Sequence, residues 1–115
     1  MELRDGSGTE VLKNASAEQT SSASAFKPID GVANHIYTLL SITVMNTSAT
    51  TADIDMWLAP SGSGQIWILK DQPVANDETF VFSDKIVLSG TDELLLTTSQ
   101  NNAYIVCSYI DQDWT

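Results

Sequence analysis

The feature that most constrains this fold is a regular series of short apolar runs separated by turn residues. Between Phe26 and Ile110, runs rich in β-branched, aromatic and aliphatic residues recur about every 8 to 12 residues, with Gly, Pro, Asn, Asp and Ser between them. No window of about 11 residues has the apolar spacing of an amphipathic helix. The pattern predicts an all-β fold: a single antiparallel β-sandwich, Ig-like or jelly-roll-like, with seven to eight strands.

The first part of the chain lacks this pattern. Its length of 115 residues suits one domain, but before residue 26 only Thr9–Lys13 resembles a strand. Ala15–Ala25 is small and polar, with little to bury. We therefore predict a flexible N-terminal segment or arm over residues 1–25, with one short strand, followed by the sandwich over 26–115. The arm is either a solvated loop or a segment ordered by a neighbouring molecule.

The charge balance excludes two classes of partner. Five Lys and Arg residues stand against 15 Asp and Glu, a net charge of -10. Nucleic-acid binding and attraction to anionic membranes both depend on clustered cations, so we expect no nucleic-acid partner and no membrane partner. The polar start Met1–Gly8 has no apolar core of a signal peptide, which predicts synthesis in the cytoplasm without export by the general pathway.

The residues that could carry catalysis are few. His35 and Cys107 are the one histidine and the one cysteine of the sequence, and together they could form a thiol and its base. Cys107, however, lies in an alternating strand pattern, where cysteine is typically a small buried apolar residue. The sequence has no nucleophile-elbow, phosphate-loop or zinc-protease motif. We predict a non-enzymatic protein without a cofactor.

Acidic residues occur in neighbouring pairs. The pairs are Asp53/Asp55, Asp77/Glu78, Asp92/Glu93 and Asp111/Asp113. Glycoside hydrolysis needs two carboxylates that face each other across a cleft, and short turns of a small sandwich offer little cleft. Solvated surface acids are the preferred interpretation, and a structural Ca²⁺ bound by converging carboxylates remains open.

Two tryptophans fall on one predicted hairpin. If Ala59 pairs with Gln65 across a five-residue loop, Trp57 lies directly opposite Trp67. The core face of the hairpin then consists of Met56, Leu58, Ile66 and Ile68. The indole rings point outward beside Leu69, and large aromatic side chains on an outer face typically mark a contact site. Contact with another molecule is preferred; packing within the subunit and a sugar-stacking platform remain open.

A third tryptophan, Trp114, follows the last predicted strand. A terminal tryptophan either tethers the tail to its own domain or anchors it to a neighbour, and the neighbour is slightly preferred. The predicted interface residues are therefore Trp57, Trp67, Leu69 and Trp114.

Several strand and turn signatures resemble a known group of proteins. They are a long strand ending in Asn-Thr, a strand leading into a Pro/Gly loop, Leu-x-Asp after the return strand, an acidic turn before Glu-Thr, and a final Gly-Asp turn. Here that turn reads Gly90-Thr91-Asp92, with an inserted Thr. They lie in Leu40–Ser48, Ile54–Gly62, Ile68–Asp71, Asp77–Thr79 and Ile86–Asp92. Over residues 35–110 the chain resembles small Ig-like β-sandwich proteins of tailed bacteriophage virions.

This resemblance implies a structural role and a location in the virion. The first expectation is a capsid decoration, or cement, protein; a neck, tail or fibre component is the alternative. Such proteins commonly act as trimers or rings, so the resemblance implies a homo-oligomer, with a trimer favoured. The expected partners are the major capsid protein or other virion proteins. A carbohydrate-binding module that uses its outward tryptophans is the remaining alternative.

Overall fold

A computed structural model describes residues 9–19, 25–100 and 102–114. Most of the described residues are in strands, and one short 3-10 turn lies at Pro60–Gly62. The strands are β1 Thr9–Gln19, β2 Phe26–Asp30, β3 His35–Asn46, β4 Ala52–Ala59, β5 Ile66–Val74, β6 Thr79–Phe82, β7 Ile86–Ser89, β8 Glu93–Thr98 and β9 Ala103–Asp113.

The strands form two antiparallel sheets packed face to face. One is five-stranded, in the order β1-β9-β3 with β6 and β7 both on the far side of β3; the other is four-stranded, β2-β8-β4-β5. Strand β6 pairs with Ile42–Met45 and β7 with Ile36–Leu39, so the two are one strand interrupted at residues 83–85. When β6 and β7 are counted as one strand, the eight strands form a jelly roll. The predicted all-β sandwich is confirmed.

The core lies between β3 and β9 of one sheet and β4 and β8 of the other. Alternate side chains of these strands point inward because the side-chain period of a strand is two. The fully buried large side chains of these strands are Leu39, Ile42, Val44, Ile54, Met56, Leu94, Leu96 and Ile105. Cys107 is also buried, as its alternating strand predicts, and burial raises the pKa of its thiol to about 12.

Strand β1 is longer than its sequence predicts. It continues past Lys13 to Gln19 and pairs with β9 along its whole length, from Thr9 opposite Asp113 to Gln19 opposite Ala103. The expectation of a loop after Lys13 therefore does not hold for residues 14–19. Small polar residues form this strand because β9 offers main-chain partners, which local propensity does not encode. Residues 1–8 and 20–24 of the predicted arm lie outside the described residues.

Asn46 joins the two sheets at one end of the sandwich. It is fully buried at the end of β3, and its Nδ2 donates to the carbonyl oxygens of Thr50 at 2.8 Å and Val74 at 2.9 Å. Its Oδ1 accepts a hydrogen bond from the Ser48 backbone N–H at 2.9 Å. Since Val74 ends β5 of the opposite sheet, the Asn46 side chain links the two layers through a buried hydrogen bond.

We expect Asn46→Ala to lower the free energy of unfolding by about 1 to 3 kcal/mol, because it leaves the buried Val74 carbonyl without its side-chain donor, whereas the Thr50 carbonyl keeps the Ser48 hydroxyl as a donor. Urea denaturation followed by circular dichroism measures this. Asn14→Ala, at an exposed position of β1, is the matched control and should stay within about 0.5 kcal/mol of wild type. Equal stability of the two variants would contradict the role of Asn46.

Candidate interaction site

The Trp57–Trp67 pair lies on the outer face of the four-stranded sheet. Trp57 of β4 is directly opposite Trp67 of β5, as predicted. The ring centroids are 5.3 Å apart and the ring planes meet at 64° in an edge-to-face arrangement. Trp67 is 42% exposed and Trp57 is half-buried, with Leu95 of β8 on its other side. The predicted outward pair is therefore present.

One ion pair, between Lys70 and Asp55, lies beside this pair of rings. Lys70 Nζ lies 4.4 Å from the centroid of the Trp67 ring, a cation–π contact, and 3.6 Å from Asp55 Oδ2. Asp55 Oδ1 accepts a hydrogen bond from the Asp71 backbone N–H at 2.8 Å. We call Trp57, Trp67, Lys70 and Asp55 the tryptophan patch. Its carboxylate is paired, so the patch offers apolar surface without an isolated negative charge.

Leu69 does not belong to this outer face, and its predicted outward position is wrong. Trp57 pairs with Trp67, but Met56 pairs with Leu69, so one extra residue, Ile68, is inserted in β5. This bulge changes the side on which the following residues point, and Leu69 packs against the core. Because of the bulge, Met56 pairs with Leu69 and not with Ile68, its expected partner.

Trp114 rests on its own subunit. Its backbone N–H donates to the Asn34 carbonyl oxygen at 2.9 Å, and its side chain is half-buried. The indole Nε1 is buried and has no hydrogen-bond acceptor among the described residues. The tail is thus tethered to its own domain, and a contact of Trp114 with a neighbour stays a prediction.

The outer face of the five-stranded sheet is a second apolar surface, which the sequence did not single out. Its most exposed side chains are Leu12, Met45, Val81, Val87, Tyr104 and Val106. Some of them align in rows across the strands: Val81 and Val106 lie on either side of Thr43, which is paired with both. Strand β9 is apolar on both of its faces, so alternation could not tell which face lies outward.

A charged cluster connects β1, β3 and β9. Asp111 of β9 is only 5% exposed; its Oδ2 lies 2.8 Å from Lys13 Nζ and its Oδ1 lies 2.7 Å from His35 Nδ1. His35 Nε2 lies 3.5 Å from Asp113 Oδ1, and the His35 ring stacks on Tyr37 with centroids 5.8 Å apart. The cluster joins the edge strand to the interior of its sheet.

The pKa values of this cluster follow from its contacts. Burial alone would raise the pKa of Asp111, but hydrogen bonds from Lys13 and His35 outweigh it and hold this pKa below its ordinary value. The hydrogen bond to Asp111 raises the pKa of Lys13. Burial raises the pKa of Tyr37 and of Tyr109.

The structure separates the two residues of the candidate dyad. His35 lies opposite Asp113 on β9, whereas Cys107 lies opposite Ile42, which puts the two about 20 Å apart along the strand. Asp111, and not Cys107, receives the His35 hydrogen bond.

Within the described ranges, no group of three or more His, Cys, Asp or Glu side chains is arranged to hold a metal ion. No helix of the described chain is long and apolar enough to cross a membrane.

Comparisons with known proteins identify the fold. No protein-family model matches the chain, and no curated protein matches it. A subunit of the disulfide-linked pili of Bacillus endospore appendages has a TM-score of 0.57 and 14% identity over 100% of this chain and 97% of its own. A chain of infectious bursal disease virus, strain Gx, has a TM-score of 0.50 and 7% identity over 91% of this chain and 31% of its own.

A chain of the T13 particle of infectious bursal disease virus is similar to the same degree. Its TM-score is 0.50 and its identity 6%, over 92% of this chain and 31% of its own. This protein therefore spans about a third of the length of those viral chains. At these identities the likeness establishes the β-sandwich fold.

The decrease in folding stability at acidic pH should depend on Asp111. The pKa of Asp111 in the folded protein lies below the unfolded value of 3.8. The contribution of its carboxylate to folding stability is therefore complete above pH 3.8 and is lost as the pH falls through the folded pKa. We expect Asp111→Asn to be less stable at pH 7 by about 1 to 3 kcal/mol and to lose less stability than wild type between pH 4 and pH 2. Thermal melts across this range measure the effect. Asp84→Asn, in an exposed loop, is the control. If Asp111→Asn loses as much stability as wild type between pH 4 and pH 2, the assignment to Asp111 is wrong.

Proposed function

We propose that this protein is a non-enzymatic structural subunit that assembles with copies of itself. More specifically, we propose a capsid decoration protein of a tailed bacteriophage virion, acting as a trimer bound to the major capsid protein. The observation that carries the proposal is the Trp57–Trp67 pair on the outer face of the four-stranded sheet, with Trp67 42% exposed. Tryptophan is among the residues most enriched at the energetic centres of protein interfaces.

The charge distribution supports a contact between copies at the tryptophan patch. A chain with a net charge of -10 repels its own copies wherever unpaired carboxylates meet. At the patch, Asp55 is paired with Lys70 and hydrogen-bonded to the Asp71 backbone. Two copies can therefore approach there and bury the indole rings without leaving the Asp55 carboxylate unpaired.

The finer assignment to a phage virion rests on the sequence resemblance over residues 35–110. The sandwich fold shared with a chain of a viral particle and with a pilus subunit is compatible with an assembled structure, and the resemblance supplies the tailed-phage context. An acidic surface also suits a part that must not bind packaged DNA. A neck, tail or fibre component is the second candidate, supported by the same resemblance.

The patch geometry favours a protein contact over a sugar. Sugar-stacking platforms present flat aromatic faces, whereas these two rings meet at 64°. Lys70 Nζ also covers one face of the Trp67 ring at 4.4 Å. A carbohydrate-binding module would require this side chain to move away from the ring and lose its contact with Asp55.

We expect the purified protein to sediment as a trimer at micromolar concentration, and Trp67→Ala and Trp57→Ala to shift the mass toward the monomer, because each removes apolar area from the interface. Sedimentation velocity and native mass spectrometry measure this, and circular dichroism confirms folding. Tyr104→Ala, an exposed aromatic of the opposite sheet, is the matched control and should leave the trimer intact.

A wild-type protein that stays monomeric at every concentration would contradict self-assembly. Dissociation by Tyr104→Ala but not by Trp67→Ala would move the interface to the five-stranded sheet. Electron micrographs separate the finer candidates, since discrete trimers support decoration, and rings around a channel support a neck or tail component.

A further inference from the structure

Strand β1 contributes little to the core of the sandwich. Its side chains from Thr9 to Glu18 are exposed or half-buried, with Leu12 71% and Val11 43% exposed. Only Ala15 packs against the core cluster from this strand. The buried layer of the five-stranded sheet comes from β3, β7 and β9, so the sandwich encloses its core without β1.

The edge of β9 nevertheless provides a specific binding position for this strand. The main-chain register runs without a shift over 11 residues of β1. Two side-chain contacts specify the sequence that fits there. Lys13 Nζ lies 2.8 Å from the buried Asp111 carboxylate, and Glu10 Oε2 accepts a hydrogen bond from Gln112 Nε2 at 2.8 Å. A buried carboxylate such as Asp111 needs its cationic partner.

The geometry points to exchange of β1 between copies: β1 of one copy pairs with β9 of a second copy, which offers the same register and the same charge partner. This inference rests on the proposed self-assembly and names the segment that links its subunits. The occupant is a second copy, because the edge of β9 is complementary in charge and register to this chain's own β1.

The connectivity permits the exchange. In the described chain β1 is followed by β2 of the opposite sheet, and residues 20–25 between them can extend over about 20 Å. Because β1 is the outermost strand of its sheet, it can leave without unthreading any other element. Exchange then reproduces the contacts of the single subunit and needs no new complementary surface.

The native cysteine provides a direct test. Ala15 lies opposite Cys107 in the β1–β9 pairing, so Ala15→Cys places a second thiol beside it. The high pKa of the buried Cys107 thiol slows its spontaneous oxidation, so the assembled protein is oxidised with copper phenanthroline and run on a non-reducing gel. Exchange predicts covalent dimers or larger species that disappear on reduction, with the introduced cysteine bonded to Cys107 of another chain by peptide mass spectrometry.

Two controls keep this test specific. Ser16→Cys lies opposite Val106, on the other face of the sheet, and should give no bond to Cys107. The double variant Ala15→Cys with Cys107→Ser should give no bond between β1 and β9. An oligomer in which every bond between the introduced cysteine and Cys107 lies within one chain overturns the exchange and leaves the proposed function standing. A protein that is monomeric at all concentrations overturns both.

A charge-reversal pair provides an independent test by complementation. Lys13→Asp places two carboxylates together, and Asp111→Lys places two cations together, so each variant alone should melt earlier than wild type. In a co-refolded mixture, only exchanged strands bring opposite charges together: this restores both β1–β9 junctions of a mixed dimer, or two of the three junctions of a cyclic mixed trimer. We expect the mixture to melt at least about 5 °C above either variant and to contain heteromers by native mass spectrometry. A mixture that melts as the sum of its two components overturns the exchange.

Discussion

The burial of alternate apolar side chains between two β-sheets is the constraint on which the rest of this structure depends. Residues such as Leu39, Ile54 and Ile105 reach zero exposure because each strand turns every second side chain inward. The same alternation forces the intervening residues outward, whatever their chemistry. Trp57, Trp67 and Val106 are therefore on the outside as a direct consequence of how the core is filled, and the outer faces are where this protein can meet other molecules.

Electrostatics decides which parts of those outer faces are available. A net charge of -10 keeps the chain soluble and disfavours random association. Two lysines are decisive: Lys70 contacts both Asp55 and the Trp67 ring, and Lys13 pairs with the buried Asp111. The first pairing leaves an apolar patch without an isolated carboxylate. The second makes the edge of β9 selective for its own strand. Both features are consistent with the proposed self-assembly.

Sequence reasoning succeeded next to the hairpin turn and failed at a bulge and at long-range contacts. The opposition of Trp57 and Trp67 followed from a short loop, because a hairpin of known loop length has few possible registers close to its turn. Leu69, two residues farther along, was misplaced because a single-residue bulge reverses the direction of side chains and leaves no signature in composition. The His35–Asp111 contact also escaped sequence reasoning, since 76 positions separate its partners and only sheet order brings them together.

By itself the sequence determined the all-β class, the strands of the sandwich after residue 34, and the outward tryptophan pair, because period-two alternation and turn residues are local properties of the chain. Only the tertiary structure decided that the two sheets adopt jelly-roll order, that residues 14–19 extend strand β1, and that Lys13, His35 and Asp111 form one cluster. Each of these depends on which strands become neighbours. That choice reflects the free energy of burying whole sheet faces against each other, which no short stretch of residues encodes.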